Sequence, residues 1–193
     1  MPKLKIDIPI IVEGKYDKIK LDSLLDAQIF TTGGFSLFKR ADKLAFFRQI
    51  AESGVIILTD SDGAGTLIRS HLSSAIPKDK IYQLYTPKIE GKEKRKKQPS
   101  SAGVLGVEGV DADILRSMFM PFVSGAPKHE DKITKSDLYR VGMSGGEGAS
   151  DARATFLREA GLPQDLSPNA MLAAINVIMT RDEFFSRIEK CKK

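Results

Sequence analysis

One cysteine and no tryptophan occur in 193 residues. A single thiol closes no internal disulfide, and it cannot build a four-cysteine zinc site either. Cys191 therefore reads as a free thiol in a reducing compartment. Long apolar runs are missing as well. In the opening stretch MPKLKIDIPIIVEG the apolar run Ile8–Val12 is five residues long, and Glu13 ends it. A membrane span or the core of a secretory leader needs much more. The expectation is a cytoplasmic protein with no membrane partner. Internal repeats are absent too. Hydrophobic residues at 41% and charged residues at 28% exclude a wholly disordered chain. The length suits one medium domain, or a domain of about 130 residues with a small companion.

Charge is present and unevenly placed. The chain carries 30 Lys and Arg against 25 Asp and Glu, a net charge of +5. Six basic residues (Lys88, Lys92, Lys94, Arg95, Lys96, Lys97) and two acidic ones fall between Lys88 and Ser100. This short segment holds most of the excess. It reads either as a phosphate-contacting loop or as a solvated surface loop, and charge alone does not separate the two.

The periodicity changes part-way along the chain. Residues 6–12 read as a buried parallel strand, and Tyr16–Ala27 has apolar residues near helical spacing. A β-like run over Gln28–Thr32 leads to Gly33-Gly34. A helix is expected over Ala41–Ser53, a strand over Gly54–Leu58, and a helix over Gly65–Ile76 that Pro77 closes. Ile81–Tyr85 reads as a strand, the surroundings of Val104–Val107 as another, and Asp111–Met120 as a helix. Alternating strands and helices predict an α/β fold, a parallel sheet with helices on both faces. Pro121, Gly125 and Pro127 then mark a linker. Beyond it Lys135–Val141, Gly148–Ala160, Pro168–Met179 and Arg181–Lys190 all read as helix. Ser167-Pro168 and Thr180-Arg181-Asp182-Glu183 are helix-start signals. The expected division is 1–121, a linker at 122–132, and a small all-helical domain at 133–193.

Carboxylates gather at the predicted carboxyl ends of strands, which form the ligand-binding edge of an open parallel sheet. Glu13 follows the first strand. Asp60 and Asp62 follow the third, in the turn Asp60-Ser61-Asp62-Gly63-Ala64-Gly65. Two carboxylates two residues apart on extended backbone can share a divalent cation. Asp and Gly after a strand are also ordinary turn formers. Glu13 argues against that simpler account, because a carboxylate directly after Ile-Ile-Val is costly beside a core unless paired or liganding.

Three of these segments together resemble the Toprim domain of topoisomerases, primases and some nucleases. They are Val12-Glu13-Gly14-Lys15-Tyr16-Asp17, Thr32-Gly33-Gly34 and Leu58-Thr59-Asp60-Ser61-Asp62-Gly63-Ala64-Gly65. The chain is similar in particular to the primase-like ribonucleases that mature 5S ribosomal RNA in Gram-positive bacteria, the ribonuclease M-five family. Ile68-Arg69, Gly106-Val107-Glu108, Asp137-Leu138, the Gly145-Gly146 turn, Arg153 with Arg158, and Thr180–Phe184 carry the likeness along nearly the whole chain. Departures are visible. Ser61, Gly63 and Ala64 stand where the family has Pro, Phe and Pro, and Gly109-Val110 replaces His-Ala after Glu108. His71 and His129 do not make up for that lost histidine.

The resemblance implies metal-dependent endonucleolytic cleavage of double-stranded parts of a structured RNA, the 5S ribosomal RNA precursor. Glu13 becomes a general acid/base or metal-linked carboxylate. Asp60 and Asp62 become the holders of Mg²⁺, and Glu108 a fourth acid. No nucleophilic side chain is implied. Lys15, Arg69, Lys92, Lys94, Arg95, Lys96 and Lys97 become phosphate contacts. The helical tail is expected to recognise the RNA together with the ribosomal protein that binds it. The rival reading is a non-catalytic RNA-binding or ribosome-assembly factor with the same fold. A zinc-containing recombination mediator is excluded by the single cysteine.

Overall fold

The computed structural model describes residues 1–60, 62–91, 103, 105–125 and 131–191. Two compact units divide the chain, Met1–Pro127 and Lys128–Lys193.

The first unit is built on four parallel strands: β1 (Leu4–Val12), β2 (Leu25–Thr31), β3 (Val55–Thr59) and β4 (Ile81–Tyr85). Their spatial order is β2-β1-β3-β4. Parallel strands packed on both faces need continuous apolar, β-branched sequence. Ile10, Ile11 and Val12 of β1 and Val55–Leu58 of β3 supply it, all fully buried. Each such side chain contributes roughly 1.5–3 kcal/mol relative to exposure. Helices α1 (Lys15–Asp22), α2 (Ala41–Ile50), α3 (Gly63–Ala75) and α4 (Ala112–Phe119) join or follow the strands. The crossovers β1–α1–β2 and β3–α3–β4 run in opposite directions along the sheet. Right-handed connections therefore place α1 and α3 on opposite faces. Ile11, Val55 and Ile57 pack with Phe47 of α2 and with Ile68 and Leu72 of α3. Alternation turns Ile10, Val12, Ile56 and Leu58 to the other face, and α4 packs against β1.

Three local expectations change. The helix expected over Tyr16–Ala27 stops at Asp22, because Leu25 pairs with Leu4 and starts β2. Gly33 and Gly34, with φ of 73° and 63°, open a 3₁₀ turn over Gly34–Lys39 that periodicity did not suggest. Of the strand expected around Val104–Val107, the described residues Leu105 and Gly106 form none, and Val107–Gly109 is a single 3₁₀ turn. The Val107 N–H bonds a carboxylate rather than a neighbouring strand. Upstream of it, Gly91 N donates to Gly103 O at 3.0 Å and Leu105 N to Ile89 O at 2.8 Å.

The second unit holds α5 (Lys135–Arg140), α6 (Ala149–Glu159), α7 (Pro168–Ile178) and α8 (Arg181–Cys191). Thr134 and Asp137 form a reciprocal capping box, as do Thr180 and Glu183, while Ser167 caps α7 ahead of Pro168. Leu138, Leu157, Met171, Ile175 and Phe184 fill the core, with Phe156 edge-on to Phe184 at 5.2 Å. Asp137 is nearly buried and takes a two-pronged contact from Arg181, at 2.7 and 3.1 Å. That guanidinium holds the Asp137 carboxyl well below the usual carboxylate range.

Candidate active site at the carboxyl edge of the sheet

β1 turns to β2 on one side and is flanked by β3 on the other, so the strand order reverses between β1 and β3. In an open parallel sheet, that reversal leaves a crevice beyond the carboxyl ends where ligands bind. Val12 is in register with Leu58. Glu13 therefore stands level with Thr59, and Asp60 one residue further out. Two of the expected acids flank the crevice on neighbouring strands.

Local structure holds each of them. The Glu13 carbonyl accepts two hydrogen bonds, from Thr32 Oγ1 and Gly33 N, both at 3.0 Å. Thr32 is fully buried, and its own carbonyl accepts from Lys43 Nζ at 2.8 Å. A methyl at Gly33 would reach within 3.0 Å of Ser36 Oγ and 3.5 Å of the Lys43 ammonium. Gly33 thus keeps the loop after β2 close to Glu13. Burial pulls the Lys43 ammonium below its ordinary value.

Asp60 is enclosed more tightly. Its Oδ1 accepts Val107 N–H at 2.8 Å. A Cβ on Gly106 would lie 2.6 Å from Asp60 Oδ2, so any side chain there would displace this carboxylate. On the other side a Cβ on Gly65 would come within 2.1 Å of the Asp60 carbonyl oxygen. Asp62 caps α3, its Oδ1 accepting Gly65 N–H at 2.8 Å. Glu108 is half-buried in the turn that follows Asp60's partner, and that turn packs against α1. Lys15 is exposed at the start of α1.

Arg69 is the clearest correction. The resemblance implied a phosphate contact, but the side chain is buried, 7% exposed, between α3 and the sheet. It donates to Ile57 O, Thr59 Oγ1, Leu84 O and the Gln83 side-chain oxygen. Its guanidinium lies 4.0 Å from the centre of the Tyr85 ring, and burial pushes its pKa down to about 10. Its hydrogen-bonding capacity is turned inward. Lys92, Lys94, Arg95, Lys96 and Lys97 lie outside the described residues.

The donor set at the edge suits a hard divalent cation. Asp60 and Asp62 offer carboxylate oxygens, each held by a backbone N–H, and Mg²⁺ commonly takes one or two carboxylates and completes its shell with water and substrate phosphate. No three His, Cys, Asp or Glu side chains among the described residues form a ready-made cage. Sequence reasoning missed Lys43 altogether and gave Thr32 and Thr59 no role of their own, although both stand in the segments that carry the resemblance. Buried hydroxyls and a lysine bonded to a carbonyl leave no spacing signal.

A doubly wound parallel sheet with acids at its switch point is the setting of a ligand-binding or catalytic α/β domain. Comparison with known families makes it a Toprim-domain protein. The Toprim domain profile matches residues 8–89. Ribonuclease M5 of Bacillus cereus is 32% identical over 150 residues, covering 78% of this chain and 75% of the relative. Its counterpart in Bacillus anthracis is 33% identical over 153 residues, covering 78% and 76%. Ribonuclease M5 of Listeria monocytogenes is 30% identical over 146 residues, covering 75% and 71%. The chain belongs to the ribonuclease M5 family. No helix among the described residues is long and apolar enough to cross a membrane.

Proposed function

We propose that this chain is a metal-dependent endoribonuclease that cuts double-stranded parts of a structured RNA, the precursor of 5S ribosomal RNA, in the cytoplasm. The observation that carries the reading is the pair Glu13 and Asp60 across the switch-point crevice, with Asp60 held by Gly106 and Val107. The relatives' name, Ribonuclease M5, supports an RNA substrate.

Asp60 and Asp62 are the residues that would hold Mg²⁺, with Glu13 as a third carboxylate nearby. A bound Mg²⁺ would supply charge neutralisation at the phosphate under attack. The chain's own groups then divide the remaining work. Glu13 accepts or returns a proton at its carboxylate, fixed by the two hydrogen bonds on its backbone carbonyl. Glu108 stands as a second proton-handling carboxylate on the turn beside α1. Lys15 and the run Lys92, Lys94, Arg95, Lys96 and Lys97 contact phosphates and set the register of the RNA. Residues 1–121 serve as the catalytic domain. The helical part from 133 onward recognises the RNA together with the ribosomal protein that binds it. Double-stranded RNA exposes little sequence to side chains, so recognition rests on shape and backbone.

The test is cleavage of a 5S precursor transcript with and without Mg²⁺. Cutting at defined positions only with the ion supports the reading. Tight binding with no cutting under either condition would establish the non-catalytic alternative.

A further inference from the structure

A buried arginine is retained only where something offsets its desolvation. Arg69 faces four neutral acceptors and an aromatic ring. An apolar side chain of similar size would fill the same space, so packing alone does not account for a guanidinium there.

The direction of its hydrogen bonds does. An arginine donates and never accepts. Arg69 Nη2 lies 2.9 Å from Thr59 Oγ1, so the Thr59 hydroxyl must act as acceptor on that side. Its single proton then faces two backbone carbonyls of the turn, Gly65 O at 3.3 Å and Asp60 O at 3.5 Å, and the nearer one is Gly65 O. Thr59 is the residue directly before Asp60, and Gly65 is the residue whose N–H is capped by Asp62. The relay Arg69–Thr59–Gly65 therefore ties together the two ends of the turn that displays Asp60 and Asp62. The other Arg69 donors reach Ile57 O on β3, and Leu84 O and Gln83 on β4. Both strands that end at this side of the crevice are fixed to α3 by one side chain.

We propose that Arg69 is a positioning residue for the reaction. It sets the geometry of the Asp60–Gly65 turn through the Thr59 hydroxyl, while touching neither RNA nor ion. The proposal rests on the functional reading above, in which Asp60 and Asp62 serve the chemistry.

Thr59→Val removes the hydroxyl while keeping the side-chain shape, and Thr59→Ser restores it. In the full chain, T59V is expected to lower kcat about tenfold or more, with KM for the RNA little changed. The thermal midpoint should fall by several degrees because the Arg69 donor loses a buried partner, while the chain stays folded at the assay temperature. Amide exchange at Gly65 should quicken, and T59S should recover both readings. A second variant, Arg69→Met with Gln83→Leu, removes the guanidinium and its side-chain partner together. It should reproduce the T59V loss, and adding T59V to it should bring little more. Manganese titration followed by calorimetry gives a readout independent of turnover, with weaker binding expected in both variants. Normal kcat and normal Gly65 exchange in folded T59V would overturn the proposal. Loss of kcat only in proportion to lost folded protein would overturn it too, by showing a merely structural role. Asp60→Asn serves as the reference: if D60N cuts normally, the functional reading itself has failed, whereas an inactive D60N beside a fully active T59V removes only the role given to Arg69.

Discussion

Asp60 Oδ1 accepts the backbone N–H of Val107 across 47 positions of sequence at 2.8 Å. This bond brings the turn after the basic segment onto the end of β3. The edge of the sheet is thereby completed by residues that lie beyond the matched Toprim region, which ends at 89.

Asparagine at 60 or 62 keeps an oxygen for the backbone N–H that each carboxylate now accepts. Asn is also a good helix cap, so D62N should leave α3 intact. Cleavage in D60N or D62N is expected to fall on the order of 10²-fold or more, while RNA binding persists. Gel-shift and cleavage assays on the same preparation check this. Undiminished cutting with Mg²⁺ removes both residues from the metal site.

Gly106→Ala separates sterics from folding. Its φ of −76° is open to any residue, but the new methyl would meet Asp60 Oδ2 at 2.6 Å. Displacing that carboxylate should lower kcat on the order of 10²-fold with a small change in melting temperature. Gly65→Ala meets a backbone oxygen instead, at 2.1 Å, and should destabilise the first unit by roughly 1–3 kcal/mol. Thermal melts beside kinetics distinguish the two.

Removing residues 133–193 is expected to leave a folded first unit that has lost its preference for the natural RNA. The compact unit Met1–Pro127 motivates this. Circular dichroism and competition between RNAs provide the check. Aggregation of the shortened chain, or unchanged discrimination, argues against separate roles for the two parts.

Neutralising Lys92, Lys94, Arg95, Lys96 and Lys97 together should weaken RNA binding and flatten its salt dependence. Each phosphate contact released reduces the slope of log affinity against log salt by roughly 0.7–0.9. The set should change it by a few units if most of its members touch phosphate, with single-turnover cleavage of bound RNA nearly unchanged. Equal slopes in a salt titration would mark the run as a solubility device.

Asp137 ties the helical unit's stability to pH. Its folded carboxyl titrates below the unfolded value of about 3.9, chiefly through the Arg181 hydrogen bonds. The stabilisation is therefore complete above about pH 4 and drains away as pH falls toward the folded value. Asp137→Asn should lower the melting temperature at neutral pH and remove much of this acid sensitivity. Melts of both proteins between pH 6 and pH 2 test it.

Elements with a strong period were legible in the sequence. β1, β3 and β4 announced themselves as short apolar runs, and α6, α7 and α8 by their spacing and caps. The end of α1 was not, because Leu24 and Leu25 fit a helical stripe as well as a strand start, and only pairing with β1 decides between them. Glu13 was visible because a carboxylate directly after Ile-Ile-Val is costly beside a core, and Asp60 and Asp62 by their two-residue spacing after the apolar run of β3. Arg69 was misplaced for a related reason. An arginine on a helix after such a motif looks the same in sequence whether it faces solvent or the core. The enclosure of Asp60 by Gly106 needs contacts from distant parts of the chain, which no local pattern encodes.

The two backbone bonds joining Ile89 and Gly91 to Leu105 and Gly103 have an evolutionary consequence. They close the chain on itself before the turn that reaches Asp60, so the acidic edge is anchored by described residues on either side of the basic run. Changes of charge or length between Gly91 and Gly103 are therefore expected to leave the acidic edge as it is. Grafting that segment from one relative onto another should transfer substrate preference without rebuilding the crevice.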